Sequence, residues 1–162
     1  MKILVTGCAG FIGFHLSSEL VSKYKIIGID NLNNYYDPEL KKNRLKILKN
    51  KRNFSFYKID LLNYKKINQI IKKNKIKHII HLAAQAGVRH SINNPGAYFK
   101  SNIEGFFNIL ELSKVNKIKH LVFASTSSVY GDNKNFPLKE NSNTDTPLSF
   151  YAASKKSNEV MA

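Results

Sequence analysis

Tyr151 and Lys155 stand four residues apart in Tyr151-Ala152-Ala153-Ser154-Lys155, a spacing that puts the phenol and the ammonium on one face of a helix. A phenol is a poor base at neutral pH, but a fixed cation beside it stabilises phenolate, which makes the pair a candidate acid/base. Upstream, the run from Phe123 to Gly131 carries Ser125, Thr126, Ser127 and Ser128, hydroxyls that could hold a sugar or simply cap a strand end. Near the N-terminus, Thr6-Gly7-Cys8-Ala9-Gly10-Phe11-Ile12-Gly13 sets three glycines three apart, a spacing that differs from the common dinucleotide fingerprint. Main chain so built can approach a pyrophosphate whose charge lies against the positive end of the following helix. Asp30 closes the next apolar run at about the distance where an acidic residue meets the adenosine ribose of NAD, favouring NAD over NADP. The alternative for Asp30 is turn chemistry, since Asp30-Asn31-Leu32-Asn33-Asn34 also suits a turn. Asp60 and Leu61, after the third run, are the expected adenine contact.

These residues need a scaffold, and the apolar pattern supplies one. Short Ile-, Val- and Leu-rich runs at Lys2–Thr6, Ile26–Asp30, Phe54–Ile59, His78–Leu82 and Leu121–Ser125 read as buried strands. Helical spacing appears between them at Phe11–Lys23, Glu39–Lys49, Tyr64–Lys73 and Ala97–Asn116, the last entered through Pro95. Alternation of this kind predicts an α/β fold, a doubly wound parallel sheet with both faces covered. The stretch from Tyr130 to Ser149 is the one long irregular segment and so a functional-loop candidate. A final helix starts near Phe150 and carries no stop signal by Ala162, so the chain is expected to be cut short.

Bulk properties narrow the functional classes. With 162 residues, 43% hydrophobic and 23% charged, one globular domain spanning residues 1–162 is expected. No apolar run is long enough to cross a membrane, and Ile3-Leu4-Val5 stops too soon for a signal-peptide core, so a cytoplasmic protein is expected. Cys8 is the single cysteine and reads as a small packing residue; the five histidines are scattered, so no metal site is expected. The net charge of +15 is spread along the chain, and only Arg44, Arg52 and Arg89 are arginines. Nucleic-acid sites favour bidentate Arg and clustered aromatics, so the charge reads as solvated surface that would also suit an anionic substrate.

Taken together, TGCAGFIG, the Asp30-Asn31 pair, IIHLAAQAGVR, Ser101-Asn102, ASTSSVYG and YAASK resemble the extended short-chain dehydrogenase/reductase family over the whole chain. GIDNLNNYYDPELKKNRL and HLAAQAGVRHSINNP look especially like its UDP-glucuronate 4-epimerases. The resemblance implies a Rossmann-type NAD-binding domain whose nucleotide-sugar-binding part lies beyond these residues, and a homodimer at full length. It implies that Tyr151 is the base, that Lys155 tunes it and holds the nicotinamide ribose, and that Thr126 hydrogen-bonds the reacting oxygen. Gly7, Gly10, Phe11, Ile12, Gly13, Asp30, Asn31, Asp60, Leu61, Leu82, Ala83, Ala84, Asn102 and Ser125 match its NAD-contact positions, together with Tyr151 and Lys155. Arg89, Thr126, Ser127 and Ser128 match substrate-side positions. The implied reaction oxidises a hexose at C4, rotates the 4-keto sugar and returns the hydride to its opposite face, with NAD supplying the hydride chemistry. Dehydratases of the family carry an acidic residue where Ser127 stands, which favours epimerisation. Epimerisation of UDP-glucose or UDP-N-acetylglucosamine, 4,6-dehydration, UDP-glucuronate decarboxylation and a non-catalytic NAD-binding module remain alternatives.

Overall fold

The computed structural model describes residues 1–162, and contacts divide them into two compact units. The first comprises residues 1–83 and 111–123; the second comprises 84–110 and 124–162.

The first unit is a five-stranded sheet, all parallel, in the order β3-β2-β1-β4-β5. Its strands are β1 (Lys2–Thr6), β2 (Lys25–Asp30), β3 (Phe54–Lys58), β4 (His78–His81) and β5 (His120–Phe123). Helices α1 (Phe11–Leu20), α2 (Pro38–Lys49) and α3 (Tyr64–Asn74) connect the first four strands. Side chains alternate across the pleat, so each central strand feeds two cores. Ile3, Val5 and Ile26 join Cys8, Leu45, Leu48 and Phe54 in one of them. Leu4, Ile27 and Ile29 take the intervening positions and are equally buried, which is why these strands read as unbroken apolar runs. Residue 28 must be glycine, because a Cβ there would lie 2.6 Å from the Cys8 Sγ. Cys8 is thus a packing residue, and burial raises its thiol far above the ordinary value.

The second unit is helical. It holds α4 (Val88–Asn93), α5 (Pro95–Tyr98) and a π-helical stretch over Phe99–Glu104 that runs into α6 (Gly105–Val115); α6 is shared with the first unit. A 3₁₀ turn at Ser127–Tyr130 and the terminal α7 (Phe150–Met161) complete it. The Ser149 hydroxyl starts α7 by accepting the Ala152 N–H at 3.1 Å.

Three details depart from the sequence reading. β3, β4 and β5 stop one or two residues early, at Lys58, His81 and Phe123, short of the expected Ile59, Leu82 and Ser125. The single helix expected over Ala97–Asn116 is interrupted by the π-helical stretch and preceded by the short α4. The hydroxyl run expected to lead into an irregular segment first makes the 3₁₀ turn, because Thr126 caps it by accepting the Ser128 N–H.

Candidate functional site

In the first unit, β1, β2 and β3 are laid down on one side of β1 and β4 and β5 on the other, so the switch in strand order falls between β1 and β4. Ligands of open α/β sheets bind at the carboxyl ends of strands beside such a switch. Thr6 and His81 close those two strand ends. The Thr6 hydroxyl accepts N–H groups from Leu82 and Ala83, both at 3.1 Å, and donates its one proton to His81 Nδ1 at 2.9 Å. That arrangement fixes the His81 tautomer and holds Leu82 and Ala83 against the glycine turn.

The turn is tight enough to demand its glycines. Gly7 has φ +70°, and a Cβ there would lie 2.7 Å from the Ala83 nitrogen; a Cβ on Gly13 would lie 2.1 Å from the Gly7 carbonyl oxygen. Gly10 caps α1 with no side chain to occupy the first amides of the helix, and Phe11 and Ile12 are exposed there. Bare amides at the positive end of a ten-residue helix, with main chain laid open by glycine, fit a phosphate.

Asp30 is buried, and its carboxylate accepts N–H groups from Ala9 at 3.2 Å and Leu32 at 2.8 Å. Asp30 thus makes the turn the sequence offered, through the Leu32 N–H, and the same carboxylate also ties β2 to the glycine loop through Ala9. Beside it, Asn31 donates to Asp60 at 2.8 Å, while Leu61 is buried. Arg44, to which the motif reading gives no role, donates to the Tyr36 hydroxyl at 3.1 Å and to the Ala9 carbonyl at 3.4 Å, and lies over the Phe11 ring. It laces the segment after Asp30 to the turn.

In the second unit, α7 buries Ala152, Ser154, Lys155 and Asn158 on one face. Tyr151 is half-buried at its start, and Lys155 is only 3% exposed. Burial lowers the Lys155 ammonium to about 8, against the opposing pull of the Glu159 carboxylate one turn on. A lysine so buried on a helix that also presents a half-buried tyrosine is not a solvated surface residue.

Asn102 holds this face in place. Its side chain accepts the Gln85 N–H at 2.7 Å and donates to the Gln85 carbonyl and the Ser154 hydroxyl, both at 3.0 Å. Its own carbonyl accepts from Asn158 at 2.7 Å. The Asn102 amide is thus committed within the unit and 1% exposed, so what it offers a ligand is the position of its neighbours. The interruption of helix into π-helix, a device common at functional sites, sets Asn102 in this clasp.

Thr126 is half-buried; its oxygen accepts the Ser128 N–H at 3.2 Å, which leaves the hydroxyl proton free to be donated. Ser125 donates to Glu159, Ser127 is exposed, Ser128 is half-buried and Arg89 is exposed in the first turn of α4. Ala84 is exposed just after β4. No group of His, Cys, Asp or Glu could hold a metal ion. The residues to which the sequence reading gives no role are Thr6, His81, Arg44, Gln85, Tyr98 and Ser154; all sit in or beside the quoted motifs, but their type alone carries no signal.

A parallel sheet in this order, with a glycine turn after its first strand, defines a Rossmann-type nucleotide-binding fold. The chain belongs to the GDP-mannose 4,6 dehydratase family, whose model it matches over residues 4–162. It is 48% identical over 160 residues to a UDP-glucuronate 4-epimerase of Thermodesulfobacterium geofontis (strain OPF15), a match covering 98% of this chain and 49% of that protein. It is 45% identical over 164 residues to UDP-glucuronate 4-epimerase 4 of Arabidopsis thaliana, of which it covers 37%. The crystal structure of the UDP-glucuronic acid 4-epimerase from Bacillus cereus in complex with UDP-glucuronic acid and NAD superimposes with a TM-score of 0.90 at 36% identity, over 99% of this chain and 51% of that one. The chain spans about half the length of the curated relatives it matches first.

Proposed function

We propose that this chain carries the NAD-binding and acid/base residues of a nucleotide-sugar 4-epimerase that interconverts UDP-glucuronate and UDP-galacturonate. The observation that carries the reading is α7, where a half-buried Tyr151 and a buried Lys155 share one face beneath the Asn102 clasp. Relatives named UDP-glucuronate 4-epimerase, and the Bacillus cereus enzyme solved with UDP-glucuronic acid and NAD, support the substrate and the cofactor.

In this reading the glycine turn and the amides of Phe11, Ile12 and Gly13 hold the pyrophosphate of NAD, and Asp30, Asn31, Asp60 and Leu61 meet its adenosine end. Bound there, NAD would supply reversible hydride exchange with the sugar C4. Tyr151, as phenolate, takes the proton from the C4 hydroxyl and later returns it. Lys155 holds the phenolate by its charge and touches the nicotinamide ribose, while Thr126 donates its free hydroxyl proton to the same C4 oxygen as charge develops there. Ser127, Ser128 and Arg89 lie on the sugar side. Ser127 is not acidic, so this chain lacks beside Thr126 the extra proton-transfer group that elimination of water would need, even though its family model is named for a dehydratase.

No helix is long and apolar enough to cross a membrane, in keeping with action in the cytoplasm on a soluble sugar nucleotide. Phe99, in the π-helical stretch, and Phe107, in α6, are each 51% exposed, and such uncovered rings support a homodimer. The test is to incubate the full-length protein with UDP-glucuronate and NAD and resolve the product sugars. UDP-galacturonate is expected; bound NAD without turnover of UDP-glucuronate overturns the substrate assignment.

A further inference from the structure

Gln85 is 6% exposed, yet its side-chain Nε2 has no hydrogen-bond partner in the chain. A buried amide without a partner is costly, and native structures seldom tolerate one without a reason. Its placement is not accidental packing. Both backbone polar groups of Gln85 are clamped by the Asn102 side chain, the N–H at 2.7 Å and the carbonyl at 3.0 Å. The next two carbonyls, of Ala86 and Gly87, accept the Tyr98 hydroxyl at 2.6 Å each. Those two clamps are the ones that hold the reactive helix: Asn102 also donates to Ser154, next to Lys155, and the Tyr98 ring meets the Tyr151 ring edge-on at 6.0 Å. Gln85 therefore belongs to one rigid frame with Tyr151 and Lys155, and it brings a pre-positioned, buried and uncommitted amide donor to that frame.

We infer that Gln85 is a ligand-binding residue of this site, donating its side-chain amide to an oxygen of the bound sugar or of the cofactor's ribose or carboxamide. The two sources share one chemistry, an uncharged or anionic oxygen acceptor, and differ in which affinity responds. This rests on the epimerase reading for its ligands, but the frame that fixes Gln85 is independent of it. An amide donor suits either: it discriminates against a ligand lacking the oxygen, because the donor would then stay buried and unpaired.

The test compares Gln85→Met and Gln85→Glu with the parent in the full-length protein, measuring NAD affinity by calorimetry, kcat and KM for UDP-glucuronate, and the melting temperature. Met keeps the length of the side chain and removes the unpaired donor, so the melting temperature without added ligand should hold or rise. Affinity should fall about tenfold, in KM if the oxygen is on the sugar and in NAD binding if it is on the cofactor. Glu, an acceptor carrying charge, should weaken the same ligand at least as much. Retention of both affinities within twofold overturns the inference, as does a loss of affinity that merely follows a lowered melting temperature. If the parent does not turn over UDP-glucuronate, the epimerase reading fails separately, and a selective loss of NAD or UDP-glucuronate binding in Gln85→Met, read by calorimetry, still supports the role of Gln85. Unchanged binding of both in that case overturns it.

Discussion

The ring of Tyr98 meets the ring of Tyr151 edge-on, with centroids 6.0 Å apart and planes inclined at 70°. Tyr98 is fully buried and its hydroxyl is spent on the Ala86 and Gly87 carbonyls, so one tyrosine serves as the wall that orients the other. Tyr98→Phe keeps the wall and takes the hydroxyl donor from the Ala86 carbonyl, while the Gly87 carbonyl keeps the Ser91 N–H at 3.2 Å. It should cost about 1–3 kcal/mol, seen as a lowered melting temperature, with turnover well below that temperature reduced far less than by loss of the Tyr151 hydroxyl.

Tyr151→Phe removes only the ionisable oxygen. The ring keeps its edge contact with Tyr98, so folding and NAD affinity should change little, while kcat for epimerisation should fall by about 10² or more. Near-normal turnover in this variant would withdraw the catalytic assignment.

Lys155 titrates near 8 in the folded chain and near 10.5 when unfolded. Between those values the unfolded state holds a proton that the folded state has released, so the contribution of Lys155 to stability should rise as pH climbs from about 8 to 10.5. Below pH 8 the buried ammonium is a burden on the order of 3 kcal/mol. Lys155→Met should raise the melting temperature at pH 7 without added NAD, flatten its rise between pH 8 and 10.5, and weaken both NAD binding and turnover. A variant less stable than the parent at pH 7 would contradict the burial argument.

Two glycines should part company. Gly13→Ala drives a methyl into the Gly7 carbonyl, where only rigid backbone could yield, and should cost about 2 kcal/mol or more along with most NAD affinity. Gly96→Ala, in α5, meets nothing within 4 Å and should stabilise by about 0.5–1 kcal/mol with NAD affinity unchanged. Thermal melts and NAD titrations of the pair check both.

The fold was legible because its signals are local. Ile26–Asp30 and Leu4 are apolar on both faces, as buried parallel strands must be, and the glycine turn, the Ser149 cap and the Tyr151–Lys155 spacing each act within a few residues of chain. Boundaries were less legible. Leu82 is as apolar as its neighbours, but its N–H is shared between the Thr6 carbonyl and the Thr6 hydroxyl and that of Ala83 goes to the hydroxyl, and the sequence does not reveal that a side chain more than seventy residues earlier will take them.

By itself, then, the sequence determined the alternation of strand and helix, the glycine turn after the first strand and the placing of a phenol and an ammonium four residues apart on one helix, because periodicity and short spacing depend only on backbone geometry. Only the tertiary structure decided that Asn102 would clasp Gln85 and Ser154, that Lys155 would lose its water and with it part of its basicity, and that Asp30 would reach back to the Ala9 amide. Each of those depends on groups far apart in the chain being brought within 3.2 Å or buried together, and burial and long-range hydrogen bonding are properties of the packed molecule that no single residue carries.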